Sequence, residues 1–144
     1  LPDRIMPSYL FFMDVLEHIK NDIEFLKKWV EISQPNSYFI FTVPAFKFLW
    51  SSHDVFLEHK RRYKLKDIEK VISICGLKVI KGHYFFISIL PLIFLIQKFY
   101  HYRSSKPLNP LLNSLLKFIL KIEIKIGVYN RLLGISCLVA AVKL

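Results

Sequence analysis

The sequence predicts an α/β fold built around parallel strands, and three observations predict it. Two uninterrupted apolar runs, "SYLFFMDV" (Ser8–Val15) and "YFIFTV" (Tyr38–Val43), read as buried strands. Between them Ile19, Ile23, Leu26 and Val30 recur at helical spacing, with Lys20, Glu24, Lys27, Lys28 and Glu31 mostly off that stripe. A helical crossover of this length forces the two strands to run parallel, with helices expected on both faces of the sheet. The later segments repeat the alternation of helix and strand.

The elements follow in order. Pro7 marks the loop before the first strand, which is expected to be buried on both faces. Asn21 or Asp22 can cap the helix that follows, and "QPNS" (Gln34–Ser37) is a turn in which Asn36 suits a left-handed backbone. Pro44 stops the second strand. A long connection rich in aromatics, His, Asp and Arg then runs from Ala45 to Leu65; a connection of this length is usually functional or disordered, and its Trp, Phe and Tyr content argues against disorder. In "KDIEKVISICG", Ile68, Val71, Ile72 and Cys75 share one helical face and Gly76 is the stop. Leu77–Phe85 reads as a third strand. An apolar helix is expected from Ile87 to about Tyr102, then a linker, "SSKPLNP". Asn109-Pro110 opens a further helix carrying Leu112, Leu115, Ile119, Ile122 and Ile126. Ile135–Val142 is the last strand.

The bulk properties set bounds. A chain of 144 residues, 53% of them hydrophobic, can bury the core of one domain and is unlike a disordered segment. The formal charge of +10 points towards an anionic partner. Lys, Ile and Phe are abundant throughout, however, so compositional bias explains the charge equally well. Cys75 and Cys137 lack paired spacing and sit in apolar surroundings; reduced core thiols of this kind fit a cytoplasmic protein. The longest apolar run, Tyr84–Ile96, falls short of the ~20 residues a spanning helix needs.

"DVLEHI", "TVPAF", "LWSSHD", "EHKRRY", "ICGLKV" and "ISCLVAAVK" occur here in this order. Together they resemble the C-terminal part of class I S-adenosylmethionine-dependent methyltransferases. The nearest likeness is to a bacterial branch whose genes commonly lie near sugar or polyprenyl-phosphate glycosyltransferases. The resemblance implies a Rossmann-like methyltransferase sheet truncated to about strands four to seven. It divides the chain into a core (residues 1–86), a two-helix apolar insertion (87–127) and the last strand (128–144). The family's glycine-rich cofactor turn and its ribose-binding acid have no counterpart here: Gly76, Gly82, Gly127 and Gly134 all lie elsewhere. By resemblance, strands one to three form a missing N-terminal half that would be the chain's partner, and the chain alone is expected to be inactive.

The resemblance also assigns the candidate site. Asp14, Val15, Leu16, Glu17 and His18 would follow strand four beneath the methionine end of the cofactor, S-adenosylmethionine. His18, His53 and His59 are candidate bases for an acceptor proton by their ordinary pKa. Pro44, Trp50, Asp54, Arg61, Arg62 and Tyr63 are candidate acceptor-binding residues, and Arg61 or Arg62 could clamp a phosphate. The acceptor would be a small molecule or a lipid- or sugar-linked one.

Blander readings stand beside these. Asp14 and Glu17 suit a helix start, and "HKRRYK" suits a solvated basic turn. The spacing of His53, Asp54 and His59 matches no metal pattern, and no metal site is expected. No nucleic-acid-binding module accompanies the basic residues. The apolar helices fit either a packed pair or a peripheral membrane contact with Lys98, Arg103 and Lys106 at the headgroups. The alternative to an enzyme is a non-catalytic basic module that docks on a membrane surface or a partner protein.

Overall fold

The computed structural model describes residues 8–91, 94 and 110–144. Most of the expected helix Ile87–Tyr102 and its linker lie outside the described residues. The elements are β1 (Tyr9–Met13), α1 (Asp22–Ile32), β2 (Tyr38–Pro44), α2 (Ser52–Phe56), α3 (Leu65–Ile74), β3 (Leu77–Phe85), α4 (Pro110–Ile126) and β4 (Ser136–Lys143). They form one sheet in the order β1-β2-β4-β3. β1 and β2 are parallel, as the crossover requires, in the register Leu10↔Phe39 and Phe12↔Phe41. β4 runs antiparallel between β2 and β3.

This register puts Leu10, Phe12, Phe39, Phe41, Val43, Cys137, Val139 and Ala141 on one face, all buried. Leu26 and Val30 of α1 and Ile68 and Ile72 of α3 complete the same core. Phe12 is its aromatic hub, stacked on Phe41 with ring centroids 5.3 Å apart and edge-on to Trp29 at 5.9 Å. The opposite face of β1 departs from expectation. Tyr9, Phe11 and Met13 are 66%, 61% and 52% exposed, so β1 is not buried on both faces. The reason is that α1 and α3 both pack on the same side of the sheet, and no described element covers the other side of β1.

The ends of the helices are fixed by particular side chains. Asn21 caps α1, its side chain accepting from the Glu24 amide at 3.4 Å. At the other end Lys143 Nζ donates to the Val30 and Ser33 carbonyls at 2.6 and 2.7 Å, which ties α1 to β4. Asn36 has the expected left-handed backbone, with φ 65°. The Leu65 amide at the start of α3 donates to the Tyr84 hydroxyl at 2.7 Å. Gly134 lets the chain pass close to β3: a Cβ there would lie 2.5 Å from the Phe85 carbonyl oxygen.

The connection from Ala45 to Leu65 is more ordered than a loop. It contains a tight turn at Lys47–Leu49 and the short helix α2, which opens with a reciprocal Ser51–Asp54 capping box. α4 matches the helix expected after Asn109-Pro110 and is attached to the core through the buried Glu123. That carboxylate accepts from the Ser88 amide at 3.2 Å and from the Ser88 hydroxyl. Leu111, Leu115, Phe118, Ile122 and Ile124 on α4 are exposed.

A candidate site at the carboxyl edge of the sheet

Because β1 and β2 are parallel and paired up to Met13↔Thr42, their carboxyl ends lie side by side. The chain turns sharply there. Asp14 has φ 51°, and its amide donates to the Thr42 carbonyl at 3.0 Å and to Thr42 Oγ1 at 3.1 Å. The Thr42 hydroxyl in turn donates to Asp14 Oδ1 at 3.1 Å, fixing an exposed carboxylate at the strand end. Leu16–His18 then form a single tight helical turn. Leu16 is fully buried and anchors it, Val15 is half-buried, and His18 faces solvent.

Glu17 is the anomaly. It is fully buried, and neither carboxylate oxygen has a hydrogen-bond partner among the described residues. Burial pushes its carboxyl up to about 7; the nearby Asp14 and Asp54 charges add to the rise and Arg62 opposes it.

The second loop reaches the same place. The Lys60 amide donates to the Glu17 carbonyl at 2.7 Å, which fastens the two loops together. His59 then packs edge to face on His18, with ring centroids 4.7 Å apart. His59 Nδ1 lies 2.9 Å from Asp54 Oδ1. Asp54, fully buried, also accepts from Arg62 Nε at 2.7 Å, Arg62 Nη2 at 3.0 Å and the Ser51 amide at 2.8 Å. Burial works to raise the Asp54 carboxyl, but the hydrogen bonds from Arg62, His59 and Ser51 outweigh it and hold the group at about 2.

The expected acceptor-binding residues divide. Pro44 ends β2 at this edge and is buried, and Trp50 is 37% exposed beside the loop. Arg62, Asp54, Arg61 and Tyr63 are held by hydrogen bonds within the chain, Arg61 with its side chain still 35% exposed. Arg62 is chelated by Asp54 and also donates to the Ala45 carbonyl at 3.1 Å. Arg61 donates to Asp22 Oδ2 at 3.0 Å and to the Lys20 carbonyl at 2.6 Å. The buried Tyr63 hydroxyl donates to Asp22 Oδ2 at 2.7 Å, and burial with that carboxylate raises its pKa above the usual tyrosine value. The physical reason is electrostatic: two buried carboxylates, Asp54 and Asp22, need cations and donors, and the basic loop supplies them. His53 stands exposed on α2, apart from the His18–His59 pair.

Sequence reasoning placed Glu17 and His18 here but not their convergence with His59, which comes from a loop some 40 residues on. The role of Asp54 did have a signal, since "SSHD" carries the Ser-x-x-acid spacing of a capping box.

Comparison with solved structures shows the fold. A SAM-dependent methyltransferase from Archaeoglobus fulgidus superposes with a TM-score of 0.55 at 16% identity, over 99% of this chain and 62% of that one. A chain of the complex between the Haloferax volcanii Trm112 methyltransferase activator and a methyltransferase gives 0.54 at 14% identity, over 99% and 56%. Haemonchus contortus phosphoethanolamine N-methyltransferase 2, in complex with S-adenosyl-L-methionine, gives 0.52 at 17% identity, over 94% and 33%. No family model and no curated protein matches the sequence. The chain therefore has the Rossmann-like fold of the class I S-adenosylmethionine-dependent methyltransferases, and it spans less than two thirds of the length of these structures. Among the described residues, no helix is long and apolar enough to cross a membrane.

Proposed function

We propose that this chain is the acceptor-side half of a methyltransferase that uses S-adenosylmethionine to methylate a small molecule or a lipid- or sugar-linked acceptor. The observation that carries this reading is the carboxyl edge of the parallel pair, where open α/β sheets bind ligands. Here it presents an exposed, hydroxyl-locked Asp14 and the His18–His59 pair.

Asp14, Val15, Leu16, Glu17 and His18 are the residues that would border the methionine end of S-adenosylmethionine. The bound cofactor supplies a methyl group activated on a sulfonium. The Asp14 carboxylate, held by Thr42, would offer that positive charge a fixed negative partner. Leu16 and the Lys60–Glu17 link keep the turn rigid, which matters because in-line displacement depends on orientation. His59 has its Nδ1 engaged by Asp54, which leaves Nε2 to take a proton from an acceptor. His18, exposed beside it, is the alternative base; His53 is a weaker candidate because it stands apart. Pro44 and Trp50 would border the acceptor.

The residues present fit only part of the cofactor. Gly76 ends α3, Gly82 lies within β3, and Gly127 and Gly134 fall between α4 and β4, so none follows β1 or β2. A cradle for the ribose and adenine would come from a separate half carrying strands one to three. The full-length protein, incubated with methyl-labelled S-adenosylmethionine and metabolite and lipid extracts, should transfer label to an extractable small molecule or lipid. Transfer to neither fraction would sink the reading.

A specific observation favours a second reading, a non-catalytic module that docks on membranes or on a partner protein. α4 exposes Leu115, Phe118 and Ile122 beside Lys117, Lys121 and Lys125. Flotation with vesicles containing anionic lipid should carry the protein upwards under this reading and leave it at the bottom otherwise.

A further inference from the structure

Glu17, His18 and His59 each offer one ligand atom, and these atoms all lie within 4.8 Å of one another. We propose that they form a binding site for a divalent transition-metal ion, with zinc the best-matched occupant. The site does not depend on the methyl-transfer reading; with an ion bound, His18 and His59 are ligands, and the base role given to them above belongs to the metal-free chain.

Four features of the molecule point to it. First, the donor set is two imidazoles and one carboxylate, which suits borderline ions such as Zn²⁺ and Fe²⁺ and not Mg²⁺ or Ca²⁺. Second, the spacing needs little change: ligand atoms around tetrahedral zinc lie about 3.4 Å apart, so small rotations of side chains already in contact would close the site.

Third, the Glu17 carboxylate is fully buried beside the two rings, and neither oxygen has a hydrogen-bond partner among the described residues. A buried polar group in that condition is costly unless something satisfies it, and a cation between Glu17 and the imidazoles would do so. Fourth, the support around His59 is that of a metal ligand. Its Nδ1 is held by Asp54, and Asp54 is itself fixed by Arg62 and by the Ser51 amide. A carboxylate behind an imidazole sets the tautomer so that Nε2 faces the metal. With three protein ligands, and His18 at the surface, a fourth position stays open to water or a ligand oxygen.

The test is titration of the metal-free chain with Zn²⁺ against a chromophoric competitor, and separately with Co²⁺ followed in the visible spectrum. Wild type should bind one ion, and Co²⁺ should give the intense d–d absorption of a low-symmetry site without a thiolate band, since Cys75 and Cys137 are buried elsewhere. His18→Ala alters an exposed side chain and should leave the fold intact while weakening Zn²⁺ binding by about 100-fold or more. Glu17→Gln should weaken it similarly. If wild type binds no tighter than His18→Ala, or if both variants retain wild-type affinity, the assignment is wrong. A thiolate band in the Co²⁺ spectrum would also overturn it.

Discussion

Asp54→Asn is the sharpest probe of how the loop is built. The substitution keeps the shape of the side chain and removes its charge. Asp54 is fully buried and accepts two hydrogen bonds from Arg62, one from His59 and one from the Ser51 amide. An asparagine supplies a single acceptor oxygen, and its amide group would point hydrogens at donors. Arg62, whose side chain is only 8% exposed, would keep the Ala45 carbonyl but lose its counter-charge. Breaking a buried pair from one side costs about 3–5 kcal/mol. For a chain of this size that corresponds to a fall of roughly 10–15 °C in Tm. Urea unfolding followed by circular dichroism measures it. Adding Arg62→Met should recover at least about 1 kcal/mol, because removing the orphaned charge removes its desolvation cost. The sign with pH is fixed as well. The Asp54 carboxyl is depressed from 3.8 to about 2, so its contribution is present above the unfolded value and is lost as pH falls through the folded one. Wild type should therefore lose about 2 kcal/mol over that acid window that Asp54→Asn does not lose. A loss below about 1 kcal/mol for Asp54→Asn, or a double variant less stable than the single, would refute the reasoning.

Three other predictions concern separate parts of the molecule. In metal-free wild type, the raised Glu17 carboxyl favours the fold below its unfolded value of 4.5, and that contribution disappears as pH rises through about 7. Relative to Glu17→Gln, wild-type stability in the presence of a chelator should drop by about 3 kcal/mol across this window; urea midpoints at several pH values would show it, and parallel curves would contradict it. Tyr63→Phe should cost about 1–2 kcal/mol in thermal melts, since Asp22 loses its shortest hydrogen bond but keeps Arg61. Gly134→Ala should cost about 1–3 kcal/mol, because the new methyl group would press on the backbone at Phe85; an unchanged Tm would show that the strand junction yields freely.

The parts of the fold that were legible in the sequence are those set by local chemistry. The β1-α1-β2 unit follows from two apolar runs around a 3.6-residue period, and the Asn21 cap and the left-handed Asn36 follow from side-chain type. What was not legible depends on which elements share a face. The runs of β1 and β2 are apolar on both sides, so they do not reveal that α1 and α3 lie together and leave Phe11 uncovered. The placement of β4 between β2 and β3 is likewise a matter of long-range pairing. At the candidate site, Asp14 and His18 were legible as residues that follow the end of a strand. The internal partners of Arg61, Arg62 and Tyr63 were not legible, because a basic, aromatic loop looks the same whether its charges meet a ligand or two buried carboxylates. The His18–His59 contact joins loops that only the fold brings together.

The central claim is that the Asp14–His18 turn borders the cofactor. A titration of isotope-labelled chain with S-adenosylhomocysteine, followed by amide chemical shifts, tests it most directly. Weak, fast-exchange binding is expected, with Kd above about 1 mM, and shifts confined to Asp14–Ile19 and the neighbouring Thr42, Val43 and Ala45 amides. Shifts centred elsewhere, no shifts at millimolar ligand, or saturation at micromolar ligand would each contradict it.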